Sequence, residues 1–425
     1  MHEEISNING IKLCSALNTN LKSFCLSLYV RAGSIFEDKS NNGITHLLEH
    51  IVFRNLKNKY DDFYNLLSMH GIELQGCTYK EFLRFSINGP SSQFAFAIDV
   101  LCSMFDEIRI NTKELNKEKK RIKAETREND EKNTLDYFFN RIVWKDSEVE
   151  KTVSGYCKVL DNISIKKLND FKSNFFSKGN CIVFVTGNVC KKDIDILKKR
   201  ISIIDIQDNQ DNQAVYTNTV SVNNEFFHRN KTVIVKNDYW HYIKFGFDIN
   251  HTKYSNGVLD LLYAVLFKGE NALVHNYLSE ENHIIYSYDS TLEQYDNVAN
   301  MNFKFEVDKN NLENAVKNVV FLLNDVKAGR FNFEANLKSE MHYAEMELDR
   351  PDDLNWSLAY YNHILKGQPI DYADDYYGRL NITKEQVIEV AREIFQSRNM
   401  TVAIKGNKRK INVQNIESIL RTLDK

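Results

Sequence analysis

The order of apolar periodicities in the first half of the chain recurs in the second half, and this repeat limits the fold more than any other feature. Over 23–32, apolar residues (Phe24, Leu26, Leu28, Val30) alternate with small or polar ones, the period of a half-buried strand. Strand-like runs follow at 72–76 and 82–87, and a strongly apolar one at 180–189 ends near Gly187 as if turning into a helix. Helical patterns occupy 45–58 and 91–108, and a long charged stretch covers 112–139. The second half offers strands at 231–236 and 242–248, a helical region at 255–278, strands at 284–290 and 300–306, helices at 310–328 and 332–348, and a last strand at 400–405 that mirrors 180–189. The order is mixed α+β, not a regular βαβ alternation, and it predicts two similar α+β domains. Their boundaries are read at 1–205 and 226–425. A linker at 206–225 joins them, where periodicity disappears and Asn, Gln, Asp and Thr dominate.

Composition removes several function classes. The 55 basic and 58 acidic side chains leave a formal net charge of -3, which argues against a nucleic-acid partner recognised through a basic surface. No run of about 18 apolar residues is present to span a bilayer as a helix. The opening MHEEISNING lacks the basic start and apolar stretch of a secretory signal, so a cytoplasmic location is expected. Seven cysteines, an odd number with no C-x-x-C spacing, are expected to be reduced core thiols.

The chemistry concentrates at His46-Leu47-Leu48-Glu49-His50. Histidines at i and i+4 lie on one helical face, about 6 Å apart along the axis, so both imidazoles can reach one metal ion. Glu49 sits near that face, where it can meet a metal-bound water without ligating. Nitrogen ligands of this kind suit zinc, whose catalytic sites use three protein ligands and keep the fourth position for water. A third ligand must therefore come from elsewhere. The stretch 112–139 supplies Glu114, Glu118, Glu125 and Glu128, of which Glu118 and Glu125 are two turns apart on one face. Glu125 follows the small Ala124, which allows close approach to another helix. We assign Glu125 as third ligand and Glu118 as the carboxylate that orients a ligand histidine.

The residues around the pentapeptide extend the pattern. Arg31-Ala-Gly-Ser-Ile-Phe-Glu37, followed by Gly43-Ile-Thr-His46-Leu-Leu-Glu49-His50 and Val52-Phe53, resembles the signature of the pitrilysin family of inverted-motif zinc peptidases, which includes mitochondrial processing peptidase. In that family a glutamate ligand lies about 75 residues beyond the second histidine and follows another Glu by seven positions, as Glu125 and Glu118 do here. Similarity continues through 155–163 and Gly187-Asn188-Val189, covering most of the first half.

The resemblance implies two similar α+β domains that pair with a second chain around a chamber, one Zn2+ per chain, and hydrolysis of unfolded peptides with Glu49 as general base. It further implies that extended peptide adds to a strand edge beside the metal, here Gln75-Gly76-Cys77-Thr78, where the family carries an Asn-Ala pair ahead of Thr. Gly76 in that place implies a more flexible edge. Family members complete in one chain also carry an Arg and a Tyr seven positions apart in the second half. Here Tyr286 is present but Ser279 occupies the Arg position. A hydroxyl cannot replace a planar cation. The expectation is thus a zinc-bearing catalytic subunit whose homologous partner subunit supplies the Arg/Tyr pair, with dedication to a leader peptide as a narrower form of it. The alternative is a zinc-binding, catalytically weak structural or peptide-binding subunit.

Overall fold

The computed structural model describes residues 3–129, 133–208, 220–236, 238–360 and 372–424. Eleven strands among them form two sheets: β1 Glu3–Ile8, β2 Ile11–Leu17, β3 Ser23–Val30, β4 Glu73–Thr78, β5 Leu83–Pro90 and β6 Cys181–Gly187 in the first, and β7 Lys231–Lys236, β8 His241–Asn250, β9 Tyr288–Gln294, β10 Val298–Val307 and β11 Met400–Lys405 in the second. The helices up to the linker region are α1 Ile44–Lys59, α2 Phe63–Met69, α3 Phe94–Ser103, α4 Thr112–Glu128, α5 Leu135–Val143, α6 Cys157–Asp161, α7 Ile165–Phe175 and α8 Lys191–Ser202. Those after it are α9 Asn256–Phe267, α10 Leu312–Lys327, α11 Phe333–Glu347, α12 Pro351–Leu358, α13 Tyr372–Leu380, α14 Lys384–Ile394 and α15 Val413–Leu420.

The repeat read from the sequence is a repeat of topology. The first sheet runs β1-β2-β6-β3-β5-β4 and the second β7-β11-β8-β10-β9. With β1 set aside, both begin with a parallel pair and continue with three antiparallel ones. The strand at 400–405 therefore occupies in its sheet the place that β6 occupies in the first.

The chain divides into two compact units, and each takes a segment from beyond its own half. Unit 1 comprises Met1–Asn129, Lys151–Asn218 and Glu345–Ala373; unit 2 comprises Asp130–Glu150, Thr219–Ala344 and Asp374–Lys425. The domain boundaries read from the sequence leave out this exchange, and of the linker at 206–225, residues 209–219 lie outside the described residues. In unit 1, α12 packs on β3 and β6. Strand β3, whose alternation predicts a half-buried strand, is in consequence buried on both faces: Leu26, Leu28 and Val30 enter the main core, while Tyr29 joins Phe82, Phe184, Leu354 and Leu358 in a second one. Asn355 fastens the helix, accepting from the Tyr29 hydroxyl at 2.9 Å and donating to the Phe184 carbonyl at 3.1 Å.

In unit 2, α5 occupies the equivalent place on β8 and β11. Gly246 of β8 has no room for a Cβ, which would lie 2.2 Å from the Phe139 ring of α5. Asp136 at the start of α5 is paired with Lys244 and Lys304, and Arg229 donates to the carbonyls of Ile142 and Val143 at its end. The charged stretch 112–139 is thus two helices in two units. Thr134 caps the second of them by accepting from the Tyr137 N–H. Strand β9 starts at Tyr288, later than the 284–290 read from the sequence, because 275–281 forms a π-helical turn before it.

All seven cysteines are free thiols. Cys14, Cys25 and Cys181 are buried, whereas Cys77 and Cys190 are exposed and lie outside the core. Among the described residues no helix is long and apolar enough to cross a membrane.

Candidate metal centre

Helix α1 lies in unit 1 with Leu47, Leu48, Ile51, Val52 and Leu56 buried in the main core. Its neighbouring face carries His46 and His50, whose side chains are 12% and 11% exposed and whose rings meet edge to face at 4.9 Å. Helix α4 approaches from the other side. It starts in a capping box between Asn111 and Glu114 and buries Leu115 and Ile122, which leaves Glu118 and Glu125 on the face turned to α1.

His46, His50 and Glu125 converge. Glu125 Oε2 is 3.8 Å from His46 Nε2 and 3.7 Å from His50 Nε2, and one ligand atom from each residue lies within 4.8 Å of the others. These separations are too long for direct hydrogen bonds. Zinc bonds of about 2.0–2.1 Å in a tetrahedron put ligand atoms about 3.4 Å apart, so Glu125 would need to approach each histidine nitrogen by only a few tenths of an ångström to share one ion with it. The donor set fits. Burial, with a smaller contribution from His50, pushes the His46 imidazole down to about 4, which keeps it neutral and its lone pair available at ordinary pH. His46 Nδ1 is buried without a hydrogen-bond partner, so the ring's polar capacity is directed at the Nε2 side.

Glu118 takes the orienting place. Its Oε2 is 3.4 Å from His50 Nδ1, and its Oε1 accepts from Arg54 Nε at 2.9 Å and from Arg54 Nη2. Burial works against its ionised form, but the hydrogen bonds from His50 and Arg54, with the Arg54 charge, outweigh it and hold the carboxyl at about 2. A carboxylate fixed against Nδ1 favours the tautomer that turns the Nε2 lone pair of His50 towards Glu125. Sequence reasoning missed Arg54 in this role. The signal was available, because Arg54 follows His50 by four residues and shares its face.

Glu49 lies beside the three, against the sheet edge. Its Oε2 accepts from Thr78 Oγ1 at 2.6 Å. Burial raises its proton affinity; the Thr78 hydrogen bond and His50 pull the other way, Glu125 adds to the rise, and the net direction is upward. Strand β4 is the outer strand of its sheet, with β5 on one side and no strand on the other among the described residues. Gly76 and Thr78 face α1, while Gln75 and Cys77 are exposed on the opposite face. A Cβ on Gly76 would lie 2.5 Å from the Phe53 ring and 3.0 Å from Glu49, so glycine is what lets the strand come this close. The looseness expected of Gly76 is therefore secondary to its small size. Tyr286 and Ser279 belong to unit 2, where Tyr286 is 96% exposed and Ser279 sits in the π-helical turn His275–Glu281.

Comparison with known proteins identifies the family. The sequence pattern of the insulinase family of peptidases, family M16, matches residues 14–155, and that of the peptidase M16 inactive domain matches 162–335. The chain is 24% identical over 195 residues to the mitochondrial-processing peptidase subunit beta of Rattus norvegicus, a match covering 45% of this chain and 40% of that relative. It is 22% identical over 289 residues to the zinc protease PqqE of Helicobacter pylori, covering 66% of this chain and 64% of that one. The chain thus spans less than two thirds of the length of either relative. Its fold superimposes on the crystal structure of a protease from Helicobacter pylori with a TM-score of 0.82 and 20% identity, over 95% of this chain and 99% of the other. With both halves of the chain matched in succession and the His-His-Glu cluster in the first of them, the chain belongs to the insulinase family, peptidase family M16.

Proposed function

We propose that this chain is a zinc-dependent peptidase acting on unfolded peptides, with one Zn2+ held by His46, His50 and Glu125 and with Glu49 as general base. The single observation that carries the reading is the convergence of those three ligand atoms beside a carboxylate whose proton affinity is raised. When bound, the ion would polarise a peptide carbonyl and lower the pKa of water towards about 7. Glu49 would remove that proton, with the Thr78 hydroxyl holding its carboxylate in place, and later deliver it to the leaving amine. Glu118 keeps the His50 ring oriented, and Arg54 keeps Glu118 in position. The unpaired side of β4 at Gln75–Thr78 offers backbone groups to an extended peptide, so affinity would come from main-chain hydrogen bonds.

We further propose that the working enzyme is a heterodimer in which a homologous subunit supplies an Arg and a Tyr. The segment 279–286 supports this, since it carries Tyr286 but Ser279 in place of the arginine. Dedication to one leader peptide is a narrower form of the same reading. A second reading, a zinc-binding but catalytically weak structural or peptide-binding subunit, is favoured by that same Ser279. The test is cleavage of a mixed peptide library by the purified chain, with and without a homologous subunit encoded beside it. Chelator-treated protein and the Glu49→Gln variant serve as controls. Zinc-dependent products that vanish in Glu49→Gln support the peptidase. A chain that binds zinc but yields no products under either condition belongs to the second reading.

A further inference from the structure

The start of α1 is held from outside the helix. A helix leaves its first N–H groups without internal partners, and a residue at the N-cap usually supplies a side-chain oxygen. Here the N-cap is Gly43, at φ 95°, which has no side chain, and the first turn carries no acidic residue. Glu37 fills the role from six residues upstream. Its Oε2 accepts from the Gly43 N–H at 2.7 Å and from Asn42 Nδ2 at 2.8 Å, and its Oε1 accepts from the Thr45 N–H at 2.9 Å. The side chain is buried, with Glu37 only 3% exposed. Its negative charge faces the positive end of the α1 dipole.

Glu37 is itself tied down. Lys151 Nζ donates to the carbonyls of Ile35 and Glu37, and Lys80, in the turn after β4, donates to the Lys151 carbonyl. Asn42 also donates to the Thr152 carbonyl at 3.0 Å. Gly43 and Gly155 meet so closely that a Cβ on Gly155 would lie 2.5 Å from the Gly43 Cα. One lock thus joins the first turn of α1 to the turn that follows Thr78. His46 comes directly after Thr45, and an imidazole nitrogen stands about 6 Å from the helix axis, so a rotation of about 20° would carry it about 2 Å.

We propose that Glu37 is a positioning residue for the metal centre: its carboxylate fixes where α1 begins and thereby the rotation at which His46 and His50 face Glu125. This rests on the zinc reading above and adds to it a residue that touches neither metal nor substrate. A merely structural cap would cost stability and leave metal binding alone, which separates the two.

The experiment uses the full-length chain stripped of metal. Zinc affinity is measured by competition with a chromophoric chelator, and the cobalt(II) absorption spectrum reports the ligand geometry. Glu37→Gln keeps the shape but sets an amide N–H2 against backbone N–H groups. It is expected to weaken zinc binding by about 10- to 100-fold, the range for residues that orient ligands, and to alter the cobalt spectrum. Leu101→Ala, a fully buried core change in the same unit, serves as a control for lost stability and is expected to leave both readings at wild type. Wild-type affinity and spectrum in Glu37→Gln, or a loss no greater than that of Leu101→Ala, overturns the proposal. If Glu37→Gln does not fold, Glu37→Asp decides: it keeps the charge one methylene short, and wild-type affinity in it overturns the proposal equally. A folded wild type that binds no zinc would instead remove the zinc reading, and this inference with it.

Discussion

The Thr78 hydroxyl donates to Glu49 Oε2 at 2.6 Å, which fastens a half-buried carboxylate of α1 to the outer strand of the sheet. The bond favours the ionised carboxylate, while burial favours the protonated one. Removing it in Thr78→Val should therefore raise the proton affinity of Glu49 further. A general base works only when ionised, so the acid limb of kcat/KM should move to higher pH and the rate should fall on the acid side of the profile. Zinc content should not change. The pH profile of peptide cleavage checks this, and an unmoved acid limb would take Glu49 out of the base role.

Arg54 and Glu118 form a pair whose acid is almost wholly enclosed, its side chain 3% exposed against 24% for the arginine. Replacing Arg54 with Met leaves a buried carboxylate with His50 and a largely exposed Arg121 at 4.0 Å for company, and should cost about 3 kcal/mol of stability. Zinc affinity should fall by about 10-fold, because Glu118 then holds the His50 ring less firmly. Arg54→Lys should recover part of the stability but less of the affinity, since an ammonium cannot hold two N–H donors in one fixed plane on Glu118 Oε1 as Nε and Nη2 of Arg54 do. Urea unfolding and chelator competition on the two variants separate these effects.

Gly76 is expected to tolerate no side chain. Gly76→Ala places a methyl 2.5 Å from the Phe53 ring, and should cost about 1–3 kcal/mol and lower activity by displacing β4 from Glu49. Phe53→Leu in the same molecule should return part of the stability, because the obstacle is the ring edge. Gln75→Ala, on the exposed face, should stay within about 0.5 kcal/mol. Thermal unfolding of the single and double variants tests the direction of the contact.

The legible part of this protein was local. Helical period placed His46, His50 and Glu49 on one surface, and a two-turn spacing chose Glu118 and Glu125, because both are properties of a single helix. Alternation and apolar runs found most of the strands, and 400–405 coincides with β11. What could not be read depends on the return of distant chain. The alternation in β3 hides its double burial, since the covering helix α12 lies more than three hundred residues away in sequence. The dense charge of 112–132 hides the break between α4 and α5, for which the cap Thr134 was the signal. Glu37 stood in the quoted signature without a role. A carboxylate reaching forward to a glycine N-cap has no sequence period.

The seat of α5 in unit 2 makes the last prediction, which is one of pH. Burial alone would raise the Asp136 carboxyl, but Lys244 and Lys304 outweigh it and the net direction is down. A carboxylate whose folded-state pKa lies below its unfolded value, about 3.9, contributes stability above that value and loses it as pH falls through the folded one. Its side chain is 37% exposed, so solvent screening limits the contribution of the pair. Asp136→Asn should accordingly cost about 1–2 kcal/mol at pH 7. Below about pH 4 the wild type begins to lose this term, completing the loss only below the folded-state value, and the variant has none to lose, so the gap between the two stabilities should narrow. Urea unfolding of both proteins at pH 7 and pH 3.5 provides the measurement. An equal gap at the two values would mean that the charge of Asp136 does not hold α5 to its sheet.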